Sequence, residues 1–242
     1  MSDTHTPLQN HLLAALPSGV QQRLFPYLKL ERLPLGTVLY EPGHNLSKVY
    51  FPIDSIVSLL YMTESGASAE IAMVGYEGVV GIAVFMGGAS TTSRALIQSA
   101  GLAYSLPAPQ VLREFNHNTE TRMLLLRYTQ SLVTSMAQTA ACNRHHSIAQ
   151  QFCRWLLLSL DRLPGNTLNM TQELIANMLG VRREGVSEAA HKLQKLGVIK
   201  YCHGHITVLD RPRLEQLSCE CYAVVKDETD HLDAKRQRLL VD

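Results

Sequence analysis

Residues 118–163 contain neither glycine nor proline, and this uninterrupted stretch limits what the chain can fold into more than any other feature. It predicts helix, because glycine and proline are the residues that most destabilise a helix interior. We expect two helices, the first ending near Cys142 and the second carrying Phe152 and Trp155. Along the first, five residues recur at alternating three- and four-residue steps, the spacing of a narrow seam between two paired helices. They are Leu125, Tyr128, Leu132, Met136 and Thr139.

The chain before residue 117 has a different pattern, in which short β-rich runs alternate with turn residues. The runs lie at 37–40, 48–51, 56–61, 69–74 and 94–100. Short strands at this spacing are typical of an antiparallel sandwich or barrel. The opening segment, residues 8–28, predicts one or two short helices that Pro17 interrupts.

The last third of the sequence predicts two helices followed by a hairpin. Gly180 separates the helices and Gly197 stops the second one, as glycine commonly does at helix ends. The predicted elements are helices at 171–179 and 182–196, strands at 199–202 and 205–208, and a charged helix with a frayed tail at 219–242. This order is typical of a helix-turn-helix with a wing, in which the second helix enters the major groove of DNA.

Composition restricts the possible partners. Hydrophobic residues make up 46% of the 242, so the chain can bury a sizeable core. The 22 basic and 21 acidic residues give a net charge of +1, so affinity for an anionic partner must come from a local patch. We find no apolar run long enough to span a bilayer and no signal-peptide pattern, and we expect a cytoplasmic protein. The odd number of cysteines, five, argues against a disulfide framework.

The second helix of the predicted pair has the pattern of a DNA reader. Its apolar stripe consists of Val186, Ala189, Ala190, Leu193 and Leu196. Arg183, Glu184, Ser187, Glu188 and His191 then point outward from its first turns. Arginine can pair with guanine and glutamate with cytosine. Residues 164–218 hold seven basic and five acidic residues, which is a modest local excess of positive charge. The alternatives are a winged helix that binds protein or an ordinary helical hairpin.

Two segments resemble a known family. Met170–Ala176 (MTQELIA) followed by Leu179–Ser187 (LGVRREGVS) resembles the helix-turn-helix of the Crp/Fnr transcription regulators. Upstream, Gly36–Gly43 (GTVLYEPG) is similar to the opening of that family's cyclic-nucleotide-type β-roll. The long glycine-free helix falls where these proteins dimerise, so the resemblance covers essentially the whole chain.

The resemblance implies an α+β chain in four parts. They are an antiparallel β-roll sensor at 1–116, a dimerisation helix at 117–143, a winged helix-turn-helix at 144–218 and a C-terminal helix and tail at 219–242. It also implies a homodimer, with Leu125, Tyr128, Leu132, Met136 and Thr139 at its interface, that binds an inverted repeat in double-stranded DNA. Such a protein regulates transcription, is not an enzyme, and has RNA polymerase as a further partner.

The same resemblance marks the residues expected to contact DNA. They are Thr171, Gln172, Arg182, Arg183, Glu184, Ser187, Glu188 and Lys192. Three positions in this region depart from the family pattern. Arg182 replaces a serine that would cap the helix, Gly185 replaces a threonine at a cost of roughly 1 kcal/mol relative to alanine, and Glu188 stands where the family often has arginine. The target sequence therefore need not match a familiar operator.

The sensor departs further from the family. Its cyclic-AMP binders hold the ribose with a glutamate and the phosphate with an Arg-Ser pair. Here Ile82 takes the place of the glutamate, and Arg94 is followed by alanine. We therefore expect neither cyclic AMP nor any other resident cofactor, and the effector is open. The residues nominated for an effector pocket are Glu77, Gly78, Gly81 and Arg94.

The cysteines and histidines allow an alternative function, that of a regulator that responds to metal or to the state of its thiols. The family's iron–sulfur cluster uses mainly N-terminal cysteines, and none precedes Cys142, so we do not expect that cluster. A set near the C-terminus could surround a zinc ion or act as a thiol switch, which would make the chain a thiol- or metal-responsive regulator. The set is Cys202, His203, His205, Cys219 and Cys221. Plain packing is the other interpretation of these residues, as it is of Cys142 beside His145 and His146.

Two other functions compete with a regulator. A cupin-like enzyme needs clustered histidines on neighbouring strands, but residues 34–116 contain only His44, which argues against it. An interaction module would use the wing and the long helix to bind proteins. Salt dependence discriminates it from a DNA-binding protein, because phosphate contacts release counterions.

Overall fold

The computed structural model describes residues 5–88 and 90–239. It begins with two short helices on either side of Pro17, as the sequence predicts: α1 (His11–Ala14) and α2 (Ser18–Leu24). Seven strands follow: β1 (Lys29–Leu33), β2 (Val38–Tyr40), β3 (Lys48–Pro52), β4 (Ile56–Met62), β5 (Ser68–Val74), β6 (Arg94–Ser99) and β7 (Gly101–Pro107). They form two antiparallel sheets, in the orders β1-β7-β3 and β2-β6-β4-β5, which share one apolar core.

All five predicted strand runs form strands, but the sequence did not indicate β1 and β7. Strand β1 is rich in charged residues and largely solvent-exposed, so it has no apolar pattern to detect. Strand β7 begins at Gly101 and ends at Pro107, and glycine and proline are residue types that usually mark turns. It is nevertheless the central strand of its sheet, pairing with β1 and β3.

Three helices connect the sheets to the C-terminal part. They are α3 (Ala108–His117), α4 (Thr119–His145) and α5 (Ile148–Leu160). The side chain of Asn118 caps α4 by accepting a hydrogen bond of 2.8 Å from the Thr121 amide. Ser147 and Gln150 form a capping box that starts α5. The long helix thus continues to His145, two residues past the predicted end of the dimerisation segment.

The predicted seam of α4 faces the chain's own β-roll, which corrects the interface inferred from the sequence. Leu125, Tyr128 and Leu132 are buried in the core of the N-terminal sheets, and Met136 packs partly buried against the same core. The hydroxyl of Tyr128 donates to the Val79 carbonyl at 3.1 Å. Thr139 is buried too. Periodicity identified a buried face correctly, but it could not say whether the sheets or a second chain cover it.

The C-terminal part contains the predicted helix-turn-helix and wing. Its elements are β8 (Thr167–Asn169), α6 (Gln172–Leu179), α7 (Arg183–Lys195), β9 (Ile199–Cys202), β10 (His205–Val208), α8 (Arg211–Leu217) and α9 (Cys221–Leu239). The wing sheet has the order β8-β10-β9, and β8 was not predicted. Leu196, assigned to the buried stripe of α7, is exposed. The helix ends at Lys195, so helical periodicity no longer sets the direction of the next side chain.

A second core joins the sensor sheets to the C-terminal part. Ile56, Leu60 and Met73 of the sensor pack with Phe152 and Leu156 of α5 and with the apolar faces of α6 and α7. The two halves of the chain therefore share buried surface. No helix in the described ranges has the length and apolar character that crossing a membrane requires.

Candidate nucleic-acid interface

The first helix of the motif, α6, begins and ends where its sequence dictates. The hydroxyl of Thr171 accepts from the Leu174 amide at 3.3 Å and so caps the helix start. At the other end Gly180 has φ +65, a left-handed conformation that glycine adopts without a Cβ penalty. The buried face of α6 consists of Ile175, Ala176, Met178 and Leu179.

The second helix, α7, presents its charged residues to solvent. Arg182, Arg183, Glu184, Glu188 and Lys192 are all exposed. Arg182 occupies the N-cap position and makes no side-chain capping hydrogen bond, as expected from the loss of the family's serine. The opposite face of the helix, Val186, Ala189, Ala190 and Leu193, is buried in the second core.

Gly185 lies on the side of α7 that approaches α5. A Cβ placed on it would lie 2.8 Å from Cδ1 of Ile148, closer than real contacts of this kind. The glycine therefore brings the recognition helix close to the start of α5. A threonine at this position would require the end of the Ile148 side chain to move.

Two of the residues predicted to contact DNA are hydrogen-bonded to each other. The hydroxyl of Ser187 donates a hydrogen bond to Oε1 of Gln172, and both side chains are half-buried. This bond ties α6 to α7 at the surface that faces outward. The bond adds a polar contact between two helices that also share the second apolar core.

A groove of about 430 Å³ lies between the start of α6, the start of α7 and the wing. It is lined by Thr171, Gln172, Glu173, Arg183, Tyr201, His203 and Gly204. The sequence interpretation had not assigned Glu173, in the first turn of α6, to the interface. It had not assigned Tyr201, His203 and Gly204 either, because only the folded hairpin brings the wing to the helices. His203 and Gly204, with φ +49 and +81, form the tight turn at the tip of the wing.

The side chain of Tyr201 connects the wing to the segment that leads into α6. Its hydroxyl donates to the Met170 carbonyl at 2.8 Å. Burial raises the pKa of Tyr201 to about 12, although the nearby positive charge of Arg183 acts in the opposite direction. Arg183 and Tyr201 both line the groove, so Arg183 sits at its lip, between helix and wing.

The basic residues of this surface are free of acidic partners. Among the ion pairs of residues 5–88 and 90–230, none involves Arg182, Arg183, Lys192, Lys195 or Lys200. All five are exposed. Their charges are available to a polyanion such as the DNA backbone.

The four residues nominated for an effector pocket do not converge, which corrects that prediction. Nε of Arg162 lies 2.7 Å from Oε1 of Glu77, and both side chains are buried. A Cβ on Gly78 would lie 2.3 Å from Cε2 of Tyr128, so this glycine serves the packing of α4. Arg94 pairs with Glu41 at 2.8 Å. Of the four, only Gly81 lines the sensor cavity.

That cavity, of about 190 Å³, lies between the four-stranded sheet and α4. It is lined by Tyr40, Leu46, Leu59, Tyr61, Ile71, Val79, Gly81, Ile82, Ala83, Thr91, Ser93, Leu132 and Met136. None of these lining residues carries a charge, and the polar groups are hydroxyls. Burial raises the pKa of Tyr40 to about 12, against a hydrogen bond with Ser93 that lowers it. The cavity suits an uncharged or weakly polar molecule better than a phosphate.

The proposed C-terminal set of metal or thiol ligands separates into two places. Cys202, His203 and His205 lie on the exposed wing, where Nδ1 of His205 contacts Oδ1 of Asn169 at 2.6 Å. Cys219 and Cys221 are buried far from the wing tip, next to Cys142 and His146. The five residues therefore do not form one site.

The architecture defines a class of protein: an antiparallel β-roll, a long helix and a winged helix-turn-helix, as in the Crp/Fnr regulators. The chain is similar in structure to a putative Crp/Fnr-family regulator from Eubacterium rectale, with a TM-score of 0.68 at 17% identity over 88% of this chain and 97% of that one. It is also similar to FixK2 from Bradyrhizobium japonicum, with a TM-score of 0.68 at 16% identity over 79% and 98% of the two chains. The c-di-GMP responsive regulator CLP from Xanthomonas campestris gives a TM-score of 0.63 at 16% identity over 79% and 99%.

Residues 150–217 match the family model of the Crp-like helix-turn-helix domain. The chain thus contains a Crp-like helix-turn-helix domain and has the fold of the Crp/Fnr regulators. A comparison of its sequence with curated proteins gives no match.

Proposed function

We propose that the chain is a sequence-specific DNA-binding transcription regulator that acts as a homodimer on an inverted-repeat site. The observation that carries the proposal is the exposed start of α7, where Arg183 lies at the lip of a groove between helix and wing. Recognition helices of this kind read base edges with the residues of their first turns. In this proposal residues 1–116 sense, 117–143 dimerise, 144–218 bind DNA, and RNA polymerase is a further partner.

Within the interface, the residues divide by position. Arg183 and Glu184 open the helix and are placed to read bases, and Glu188 follows one turn later. Arg182 and Lys192 flank this region and suit phosphates, as do Lys195 and Lys200. Thr171 and Gln172, at the start of α6, lie on the same groove. Gln172 and Ser187 act mainly by holding the two helices together.

The dimer is assigned to the exposed face of α4. Met123, Leu126 and Val133 expose 44%, 37% and 49% of their surface. Exposed apolar residues that form a contiguous patch mark interaction sites. With Gln130, Ala137 and Ala140, which are also exposed, they recur at steps of three and four residues. This is the spacing of a two-helix coiled coil. In a two-fold dimer, the same stripe of each copy would pack against that of the other.

The effector is proposed to bind in the uncharged cavity between the four-stranded sheet and α4. Leu132 and Met136 of α4 line that cavity, and the exposed stripe lies on the other side of the same helix. A molecule in the cavity would therefore contact the helix that forms the dimer. The lining favours a small, uncharged ligand over cyclic AMP.

Selection from a random pool of double-stranded DNA tests the proposal. The expected outcome is enrichment of an inverted repeat with half-sites about one helical turn apart. Affinity for that site should fall steeply as salt increases, because phosphate contacts release counterions. Failure to enrich any sequence, with binding that is insensitive to salt, would favour a protein-interaction module.

A further inference from the structure

Three cysteines and one histidine converge where α4 ends and α9 begins. Cys142 lies in the last turn of α4 and His146 directly follows that helix, whereas Cys219 precedes α9 and Cys221 is its first residue. Their ligand atoms all lie within 4.8 Å of one another. Sγ of Cys142 is 3.5 Å from Sγ of Cys219, and Sγ of Cys221 is 3.5 Å from Nδ1 of His146.

These separations suit a single metal ion. Zinc binds thiolate sulfur at about 2.3 Å and imidazole nitrogen at about 2.0–2.1 Å, so neighbouring ligands of a tetrahedral site lie about 3.5–3.8 Å apart. The cysteines are not bonded to one another as disulfides. Three sulfurs and one nitrogen are a donor set of structural zinc sites. An iron–sulfur cluster, which places several iron atoms between its cysteines, would need a wider cage.

We propose that Cys142, His146, Cys219 and Cys221 bind one zinc ion, which fastens the start of α9 to the end of α4. The three cysteines are buried and His146 is nearly so, which leaves no open position for a substrate. On binding, the three thiols release their protons to solvent and the neutral imidazole donates its lone pair. The ion and three thiolates then carry a net charge of −1.

The surroundings of the cluster match that charge distribution. Nε2 of Gln138 donates to Sγ of Cys221 at 3.0 Å, a hydrogen bond that a thiolate accepts more strongly than a thiol does. Nε2 of His146 lies 3.3 Å from Oε1 of Glu220, so the ring can direct Nδ1 toward the metal while Nε2–H is held by the carboxylate. Such carboxylate–histidine pairs orient zinc ligands in many proteins.

A buried cation beside the cluster provides a second, independent observation. Arg154 of α5 is buried, and its Nε has no hydrogen-bond partner among the described residues. Its Nη2 donates to Oγ1 of Thr139 at 2.8 Å. An uncompensated buried guanidinium is costly. Thr139 lies one turn before Cys142 on α4, so this hydrogen bond holds the guanidinium near the cluster. The anionic zinc complex would place a negative charge near this guanidinium.

The zinc site would connect two functional segments. Helix α4 carries the proposed dimer stripe, and α9 follows the winged helix-turn-helix directly. The ion would fix the end of the DNA-binding part against the dimerisation helix. Because the proposal concerns metal binding alone, it can fail or succeed independently of the proposed DNA binding.

Elemental analysis of the full-length chain, purified without chelator and under reducing conditions, tests the site. We expect one zinc per chain. Cys142→Ser and Cys221→Ser should each lower the zinc content at least five-fold. Cys202→Ser, on the exposed wing, and Cys153→Ser, buried outside the cluster, are matched controls and should keep one zinc per chain.

A spectroscopic measurement on the unmutated chain covers the case in which serine variants do not fold. After zinc is removed with a chelator, Co²⁺ should restore one equivalent of metal and give the intense visible bands of a tetrahedral thiolate site. His146→Gln should weaken and shift those bands. Zinc that persists in the Cys142→Ser/Cys221→Ser double variant, or a reduced wild type that takes up neither zinc nor Co²⁺, would overturn the proposal.

Discussion

Nε of Arg162 donates to Oε1 of Glu77 across 2.7 Å, and both side chains are more than nine-tenths buried. Arg162 follows α5 in the C-terminal part, whereas Glu77 lies in the turn after β5 of the sensor. The pair therefore crosses the junction between the two halves. Nη1 of Arg162 also donates to the Leu158 carbonyl at 2.8 Å, which leaves the guanidinium firmly placed.

Removing one partner of this pair should destabilise the chain strongly. Glu77→Ala leaves the buried Arg162 uncompensated, and we expect the free energy of unfolding to fall by about 3–5 kcal/mol. Urea unfolding followed by circular dichroism measures the change. Lys226→Ala, which breaks the exposed pair with Asp230, is the control and should cost less than about 1 kcal/mol. Equal effects of the two substitutions would contradict the role given to Glu77.

A second buried carboxyl at the same junction predicts a pH dependence. Burial raises the pKa of Glu70 to about 7, although Ser58, Arg154, Arg162 and Trp155 all act to lower it. The Ser58 hydroxyl is within hydrogen-bond distance of both Glu70 and Oε1 of Gln98, but it has only one proton to donate. A protonated Glu70 resolves this, because it can donate to Ser58 while Ser58 donates to Gln98.

Stability should therefore fall as the pH rises from about 4.5 to about 7, since an unfolded glutamate loses its proton earlier than the buried one. The contribution of Glu70 is roughly 3 kcal/mol across this interval. Glu70→Gln mimics the neutral acid, so it should match the wild type at pH 5 and exceed its stability at pH 8. Urea unfolding at the two pH values checks this. A constant difference between the two proteins would contradict a neutral Glu70.

Local signals in the sequence were sufficient for the helix-turn-helix. The cap at Thr171, the left-handed Gly180 and the turn at Gly204 are each determined by neighbouring residues, and the structure confirms the elements that they predicted. The sensor was harder, because β1 and β7 are held by pairing with distant strands rather than by their own patterns.

The functional residues show the same contrast between local signals and contacts of distant segments. The exposed position of Arg183 could be predicted from its place at the start of the helix. The predicted set of C-terminal cysteine and histidine ligands was wrong, because sequence spacing does not show which distant residues come into contact. Cys219 and Cys221 meet Cys142 and His146, which lie at the end of a different helix, and not the nearby wing histidines. The dimer interface predicted on α4 was wrong for a related reason. Apolar residues recur with helical periodicity on two faces of this helix, so periodicity alone does not show which face a second chain would cover.

The dimer assignment predicts different results for two pairs of charged substitutions. Leu126→Glu with Val133→Glu should give folded monomers, because both side chains are exposed in the single chain and are covered only by the second copy. Sedimentation velocity measures whether each variant is a monomer or a dimer. Leu112→Glu, on an equally exposed leucine of α3, is the matched control and should stay dimeric. If the Leu126→Glu/Val133→Glu variant still sediments as a dimer, the dimer interface does not lie on this face of α4.

The sensor cavity predicts that cyclic AMP does not bind at micromolar concentration. Its lining provides no charged group for the phosphate, and Arg94 is paired with Glu41. Isothermal titration calorimetry should detect no heat of binding for cyclic AMP. Small uncharged molecules should instead raise the melting temperature, and Ala83→Leu, which extends a side chain into the cavity, should reduce that effect. Tight binding of cyclic AMP would contradict this account of the cavity.

The recognition helix predicts that two basic residues affect DNA binding in different ways. Arg183 lies at the lip of the groove, and Arg183→Ala should cost about 1–3 kcal/mol at the selected site and relax the preference at one base pair per half-site. Lys192 lies more than two turns further along α7, where it suits a phosphate. Lys192→Ala should therefore weaken binding to all sequences alike and reduce the salt slope by about one unit per lost contact.

Titrations of the selected site and of a scrambled site, each at several salt concentrations, separate the two effects. Glu215→Ala, on the exposed surface of α8, is the control and should change neither the preference nor the salt slope. Both arginine and lysine lose a positive charge when they are replaced, so charge alone cannot account for a difference between the two variants. If Arg183→Ala lowers affinity equally for the selected and the scrambled site, Arg183 contacts phosphate rather than bases, and sequence is read by other residues.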